Sequence, residues 1–243
     1  HEGIVIEKPQ ESVVPESTPR DARTPTARSA QAAGALLVGG SILEIVVMAH
    51  HPSVHAHDVA AAVAQLQALG ALSAWVHGVL IALMLTVFFA LTEFAWQRGI
   101  MRPAIRAGLI AYAAGVVAMM GAALVDGFVT PRLAILGAGL GAADLSIMAQ
   151  LLHLCMLFNQ ALARLGAIAM SAAIIAWSLD LLLRAGLERA LGVAGMAIGL
   201  GCVAALIAGV LQLDVHGMML VLVLQAVWTM GLGVLLLRNR AIA

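Results

Sequence analysis

The sequence has little charge and few aromatic side chains. Charged residues make up 11 % and aromatic residues 4 % of its 243 positions, whereas the apolar fraction is 62 %. A soluble globular domain is about a quarter charged and about half apolar, and a chain of this length could not cover so much apolar surface in water. The composition therefore excludes an ordinary water-soluble domain and indicates a protein that lies in a lipid bilayer.

Other absences exclude several classes of function. The two cysteines, Cys155 and Cys202, form no CxxC pair, so neither a disulfide framework nor a thiolate metal site is indicated. A formal net charge of zero gives no electrostatic basis for binding nucleic acid. There is no P-loop, no GxSxG and no Rossmann-type glycine motif, so no catalytic residue is predicted. The 12 methionines form no MxxM series, and packing is their expected role.

The first 30 residues differ in composition from the rest. They contain four of the seven prolines, together with five acidic and four basic residues. Such a segment cannot bury a hydrophobic core. Residues 1–30 are therefore predicted to form a disordered cytoplasmic tail, and residues 31–240 a transmembrane domain.

From residue 31 onward, apolar runs alternate with short polar breaks. One crossing of the hydrocarbon region needs about 20 residues. The region from Pro131 to Arg184 is long enough for one or two crossings. With one crossing there, the predicted spans are Ala32–Ala49, Ala71–Trp96, Ala107–Val125, about Leu165–Leu183, Leu191–Leu211 and Met218–Leu237.

The positive-inside rule favours the count of six. Both termini then lie in the cytoplasm, and eleven of the thirteen basic residues lie on the inner side, leaving only Arg132 and Arg164 outside. The sequence therefore predicts an all-α, six-helix bundle, multi-pass in the cell inner membrane. Asp58–Gly70 is predicted to be an amphipathic helix on the outer surface that leads into the second span. Arg132–Ala163 is predicted to form outer-face helices lying on or dipping into the membrane.

This layout is similar to that of an uncharacterised bacterial family of six-span membrane proteins, the domain-of-unknown-function family numbered 4386. The nearest local similarity is Arg184-Ala-Gly-Leu-Glu-Arg189-Ala-Leu-Gly192, which resembles the basic, glycine-containing inner loop before that family's fifth helix. The resemblance covers most of residues 32–237 in layout. It implies a six-helix fold and, since it includes no catalytic motif, no particular activity.

Histidine is concentrated at the predicted outer face. The run from His50 to Asp58 holds His50, His51, His55 and His57 within nine residues. Neutral imidazole and carboxylate are the usual ligands of zinc and copper. The spacing matches no named site, and Pro52 argues against one continuous helix. The run therefore indicates either a metal-binding loop or a hydrated loop whose imidazoles change charge near neutral pH.

A second, dispersed set comprises His77, His153 and His216, each near the outer start of a returning segment. A bundle could bring them to one depth with Asp126 or Glu44, because an ionisable group within a span normally faces the bundle interior. Three histidines and a carboxylate would suit copper or zinc. One outer haem is a weaker expectation, since the inner halves of the spans lack the second histidine layer of two-haem cytochromes. The alternative is a set of separate, hydrogen-bonded interfacial histidines.

Three functional hypotheses follow. The first is a membrane protein whose His/carboxylate face binds copper or zinc, or else haem, for metal handling or in support of a redox complex. The second is an accessory or structural subunit that docks other membrane subunits through its tail and through small-residue faces such as Gly195-Met-Ala-Ile-Gly199. The third is a proton-coupled transporter using Glu44 and Asp126, although no inverted repeat or pair of interrupted helices is visible.

Overall fold

The computed structural model describes residues 27–54, 56, 58–137, 139 and 141–238. These residues form seven α-helices, one π-helical turn and no strand. The helices are α1 (Ala27–Ala49), α2 (Val59–Arg98), α3 (Pro103–Leu124), α4 (Thr130–Leu136), α5 (Ala142–Leu182), α6 (Gly186–Ile207) and α7 (Val215–Arg238), and the π-helical turn Val125–Val129 joins α3 to α4. Residues 27–30, predicted to belong to the tail, are already part of α1, and residues 1–26 lie outside the described residues.

Six helical segments are long and apolar enough to cross a membrane, the third being Pro103–Leu136, which includes α3 and α4. The prediction of an all-α, six-span bundle is confirmed, and the chain is a multi-pass membrane protein. The spans alternate in direction. We call the end at which α2 meets α3 and α5 meets α6 the basic end, and the end at which α1 meets α2 and α6 meets α7 the histidine end.

The long helices α2 and α5 exceed the thickness of a membrane. They contain 40 and 41 residues, which at 1.5 Å per residue is about 60 Å, against about 30 Å of hydrocarbon. Each is therefore long enough to extend past the hydrocarbon region, and their first halves pack with α4 around Val63, Ala134 and Met148. Asp58 caps α2 by accepting a hydrogen bond from the Ala61 amide at 2.8 Å. Asp58–Gly70 is thus helical, as predicted, and is continuous with the second span.

The region Arg132–Ala163 is divided differently from the prediction of separate outer-face helices. Its beginning continues the third span as α4, and from Ala142 the chain runs as one helix to Leu182. Residues 142–165 contain no glycine or proline and are rich in alanine, leucine and methionine, so nothing in the sequence interrupts the helix before the membrane. The predicted span Leu165–Leu183 is the second half of α5.

Small residues set the closest helix contacts. Gly195 and Gly199 of α6 lie against α5, where an added Cβ would clash with the Ser178 hydroxyl and with the Ser171 carbonyl, respectively. The GxxxG pattern therefore has the close-packing role expected of it.

Aromatic and charged side chains close the basic end of the bundle. The indoles of Trp177 and Trp228 stack with ring centroids 6.1 Å apart, and they donate hydrogen bonds to backbone carbonyls of α3 and α6. Beyond them, Arg98 at the end of α2 donates to Asp180 at 2.8 and 3.0 Å and to Glu188 at 3.0 and 3.1 Å. This network links α2, α5 and α6.

Candidate metal site

Three potential metal ligands converge at the histidine end. Among the histidine, cysteine and carboxylate side chains of the described residues, three have donor atoms that lie close together. They are His51, His77 and Asp126. The Nε2 atoms of the two imidazoles are 3.2 Å apart. The Asp126 Oδ2 atom is 3.3 Å from the His51 Nε2 atom and 3.2 Å from the His77 Nε2 atom. The three donors therefore mark a nearly equilateral triangle.

His77 is held on α2 in a defined orientation. Its side chain is buried, and its Nδ1 atom lies 2.8 Å from the Ser73 carbonyl oxygen one turn earlier. A carbonyl oxygen can only accept, so Nδ1 carries the proton, and the neutral ring then presents the lone pair of Nε2 to the other two donors. A metal-ligating histidine is typically oriented by such a bond from its other nitrogen.

Asp126 is placed by the π-helical turn in the third span. Pro131 has no amide hydrogen, so the usual helical bond to the Gly127 carbonyl is missing. In the turn, both the backbone N–H of Thr130 and its Oγ1 hydroxyl, the latter at 2.9 Å, donate to the Val125 carbonyl five residues earlier. The sequence predicted that the third span ends at Val125, but the helix widens there and continues to Leu136. Single π turns inside α-helices are frequent at functional sites.

Close packing of two helices brings Asp126 to His77. Gly127 follows Asp126 and is buried, and a Cβ atom at this position would clash with the Cβ and ring atoms of His77. Only glycine allows this approach without a shift of one helix. An Asp-Gly pair inside an otherwise apolar span is the sequence signal for the contact.

His51 comes from the connection that follows α1. Pro52 prevents continuation of the helix, because the residue before a proline is biased away from α conformation, and α1 ends at Ala49. The imidazole of His51 is edge-on to that of His77, with centroids 4.9 Å apart. Its Nδ1 atom is buried and has no hydrogen-bond partner among the described residues. An orphaned ring nitrogen of this kind is unusual in a folded protein.

The structure takes one ligand from the predicted loop run and two from the dispersed set. His50 is exposed, with its ring bonded to the Val46 carbonyl at 2.8 Å. The side chains of His153 on α5 and His216 on α7 are exposed and do not join the triangle. His55 and His57 lie outside the described residues. Sequence reasoning named all three converging residues but grouped His51 with its neighbours in the chain, because only the fold brings it to the second span.

A cavity of about 700 Å³ begins at this triangle and extends into the bundle. At the histidine end it is bordered by the loop residues Ser53 and Asp214 and by His216 in the first turn of α7, and inside the bundle it reaches Tyr112 of α3 and Thr229 of α7. All three donor side chains line it. An ion held at the triangle would therefore keep one coordination position facing the cavity.

Comparison with family models, with curated protein sequences and with solved structures finds no match to this chain. The class of the protein is therefore defined by its own features. It is a six-span helical membrane protein with a His–His–Asp group that could hold a metal ion.

Proposed function

We propose that this protein binds zinc or copper through His51, His77 and Asp126 and serves in metal handling at the outer face of the membrane. The spacing of the donors is the observation that carries the proposal. Metal–nitrogen and metal–oxygen bonds of about 2.0–2.2 Å place the corners of a tetrahedron about 3.3–3.5 Å apart. The three separations of 3.2, 3.3 and 3.2 Å are close to that edge length.

The hydrogen bond from His77 Nδ1 to the Ser73 carbonyl supports a cation at the centre of the triangle. A neutral His77 with its proton on Nδ1 directs the Nε2 lone pair toward a carboxylate oxygen that also carries lone pairs. Facing lone pairs repel unless a proton or a metal ion lies between them. A shared proton gives a hydrogen-bonded network, and a metal ion gives a coordinated site; metal analysis distinguishes the two.

The ligand types favour zinc or divalent copper. Imidazole and carboxylate suit both ions. The geometry does not favour haem bound between two histidines, because the axial ligands of one iron lie on opposite sides of a wide macrocycle. Here the two Nε2 atoms and the carboxylate oxygen occupy the corners of one small triangle.

The fourth coordination position of a bound ion, which faces the cavity, favours exchange of the metal or its ligand over a purely structural role. Structural zinc sites use four protein ligands, whereas sites that bind water or substrate keep a position open. Three protein donors facing a cavity match the second arrangement. The assignment to the outer face rests on the positive-inside rule, because the arginines gather at the opposite end of the bundle.

Metal content and affinity test the proposal. The full-length protein is purified in detergent, stripped with a chelator, and titrated with Zn²⁺ and Cu²⁺ by calorimetry, with elemental analysis of the loaded protein. We expect one equivalent of metal per chain. We expect its loss in His77→Ala and Asp126→Asn, because each substitution leaves only two ligands.

His50→Ala, His153→Ala and His216→Ala are matched controls, because each removes an exposed imidazole from the same end of the protein. These variants should keep the wild-type stoichiometry and affinity. A wild-type protein that binds neither ion would overturn the proposal, as would loss of binding in the control variants only. The accessory-subunit hypothesis makes a different prediction, namely no bound metal and isolation in a complex with other membrane subunits.

A further inference from the structure

Below the metal triangle, the cavity contains a carboxylate that the proposed metal site does not use. Glu44 lies on α1 and lines the cavity. It is five residues before the end of the helix, about 8 Å further into the membrane span than Ala49. A carboxylate inside a span is costly and normally faces a partner or a water-filled space.

No cation in the described part of the chain compensates Glu44. Among those residues it has no hydrogen-bond or ion-pair partner, and the described residues that line the cavity include no lysine or arginine. The cavity does contain two further carboxylates, Asp126 and Asp214, nearer its mouth. These two lie beside the imidazoles of His51, His77 and His216, whereas Glu44 has no basic side chain next to it among the described residues, so the inner part of the cavity favours a positively charged occupant.

The polar side chains that α7 contributes to the cavity also present acceptors. Gln225 donates its amide hydrogens to Ser171 Oγ at 3.0 Å and toward the Ala167 carbonyl at 3.4 Å. Thr229 donates its hydroxyl hydrogen to the Gln225 backbone carbonyl at 2.9 Å. Both side chains line the cavity with their hydrogens already committed, and the atoms that remain are oxygen acceptors.

Much of the remaining cavity wall is apolar and deformable. Five different helices contribute a methionine to the cavity: Met48, Met84, Met119, Met170 and Met218. Methionine is flexible and polarizable, and it is common at surfaces that adapt to ligands of varied shape. Tyr112 closes the inner part of the cavity; it is buried, and its ring stacks on Phe88 with centroids 6.1 Å apart.

We propose that this cavity is a binding site for a small organic cation with apolar substituents, with Glu44 as its counter-charge. A volume of about 700 Å³ lies within the usual range for small-molecule sites. The methionines and aliphatic side chains contact the apolar substituents, and the carboxylate neutralises the charge. The cation enters from the histidine end, because the stacked indoles of Trp177 and Trp228 close the other.

The wall chemistry argues against the other classes of occupant. Calcium and magnesium need about six oxygen ligands, and a wall made mainly of thioethers and aliphatic carbons does not supply them. An anion would meet three carboxylates without a lysine or arginine among the described lining residues. A neutral apolar molecule would fill the volume but would leave Glu44 without a counter-charge.

Two isosteric probes of opposite charge test the proposal. The full-length protein in nanodiscs of zwitterionic lipid is titrated with tetraphenylphosphonium and with tetraphenylborate, and empty nanodiscs give the background. We expect saturable binding of the phosphonium with at least tenfold preference over the borate. Stronger or equal binding of the borate would overturn the proposal, and this comparison requires no variant.

Glu44→Gln identifies the counter-charge, since it removes the charge with little change in shape. We expect it to weaken phosphonium binding at least tenfold. Glu93→Gln is the matched control, because Glu93 accepts hydrogen bonds from Ser29 and Gln97 and is not a lining residue. Wild-type phosphonium affinity in the Glu44→Gln protein would overturn the assignment of Glu44.

The test is independent of the metal site. Phosphonium titrations are run in the presence of a chelator, and they are repeated with His77→Ala, which leaves Glu44 in place. We expect binding in both conditions. Loss of phosphonium binding in His77→Ala, with the variant still folded, would contradict a separate cation site, whereas failure of zinc or copper to bind the wild type would leave this result unaffected.

Discussion

At the scale of single residues, the metal triangle depends on side chains that are absent as well as on those present. Gly127 has no Cβ, and this allows α2 to approach the π turn closely enough for His77 to face Asp126. The ligands themselves are held by backbone contacts, such as the bond from His77 Nδ1 to the Ser73 carbonyl. The site therefore depends on backbone geometry at two positions as much as on its three donors.

Gly127→Ala should damage the site without replacing any of its three ligands. The new methyl group would overlap His77, and overpacking of this kind typically costs about 1–3 kcal/mol. Because the two helices must separate, we expect zinc affinity to fall about tenfold or more, together with a lower melting temperature. Calorimetric zinc titration and thermal unfolding in detergent measure the two effects.

Gly201→Ala is the control for that substitution. Gly201 lies within α6, and a Cβ there would have no atom outside its own helix within 4 Å. Alanine in a helix interior is about 0.5–1 kcal/mol more favourable than glycine, so this variant should be as stable as the wild type or slightly more so. Unchanged zinc affinity in Gly127→Ala would mean that the triangle tolerates separation of the two helices.

At the scale of elements, the two ends of the bundle are built by different means. At the histidine end, the third span is widened by the π turn, and Pro131 lies in the first turn of α4, where it supplies no amide hydrogen for the Gly127 carbonyl. At the basic end, Arg98 binds Asp180 of α5 and Glu188 near the start of α6. Helices α2, α5 and α6 are thereby fixed relative to one another beneath the aromatic core.

Arg98→Ala should destabilise the bundle. Asp180 is only 3 % exposed, and Arg102, its remaining partner, is itself partly exposed. Removing one partner of a buried ion pair costs about 3–5 kcal/mol in soluble proteins. Because Arg102 remains, we expect about 3 kcal/mol and a clearly lower melting temperature.

The control for that substitution is Arg106→Ala, which removes an exposed arginine from the same end. It should change stability by less than about 0.5 kcal/mol. Equal melting temperatures for Arg98→Ala and the wild type would show that Arg102 alone suffices to neutralise Asp180.

At the scale of the whole molecule, the two ends differ in both charge and access. The described arginines gather mainly where α2 meets α3 and where α5 meets α6, and there the interior is filled by stacked indoles. The histidine end carries the metal triangle and the mouth of the cavity. The chain thus has one closed end and one end that offers ligands to the aqueous side.

Topology mapping tests the orientation of this arrangement. Reporter domains fused after Arg184 and after Ala243 should both lie on the cytoplasmic side, because six spans return the chain to its starting side and the positive-inside rule places the basic end within. Enzymatic reporters active on only one side of the membrane measure the outcome. A reporter after Ala243 on the outer side would contradict the orientation and the outer placement of the metal triangle.

Much of the architecture was predictable because lipid imposes a strong length and polarity requirement on each span. The six spans follow from runs of apolar residues, and the end of α1 follows from the His50-His51-Pro52 break. Continuation of the helix through Asp126 was not predictable in this way. An acidic residue after an apolar run usually marks the end of a span. The π turn that keeps Asp126 within the third span depends on contacts with α2.

The candidate site was only half determined by the sequence. Residue types and approximate depth indicated that histidines and Asp126 would gather at one end, because ionisable groups in spans turn inward. Which of them meet was decided by the tertiary structure, since it depends on helix rotation and on a close approach at Gly127. Rotation places His77 inward and leaves His153 and His216 exposed.

The sequence by itself determined that this chain lies in a membrane, how many times it crosses, and at which end its histidines gather. These properties follow from composition and from the order of apolar runs, which act locally along the chain. Only the tertiary structure brought His51 to His77 and Asp126, and placed five scattered methionines and Glu44 on the wall of one cavity. The physical reason is that a site is formed by side chains from separate helices. The packing between those helices decides which of their side chains face one another.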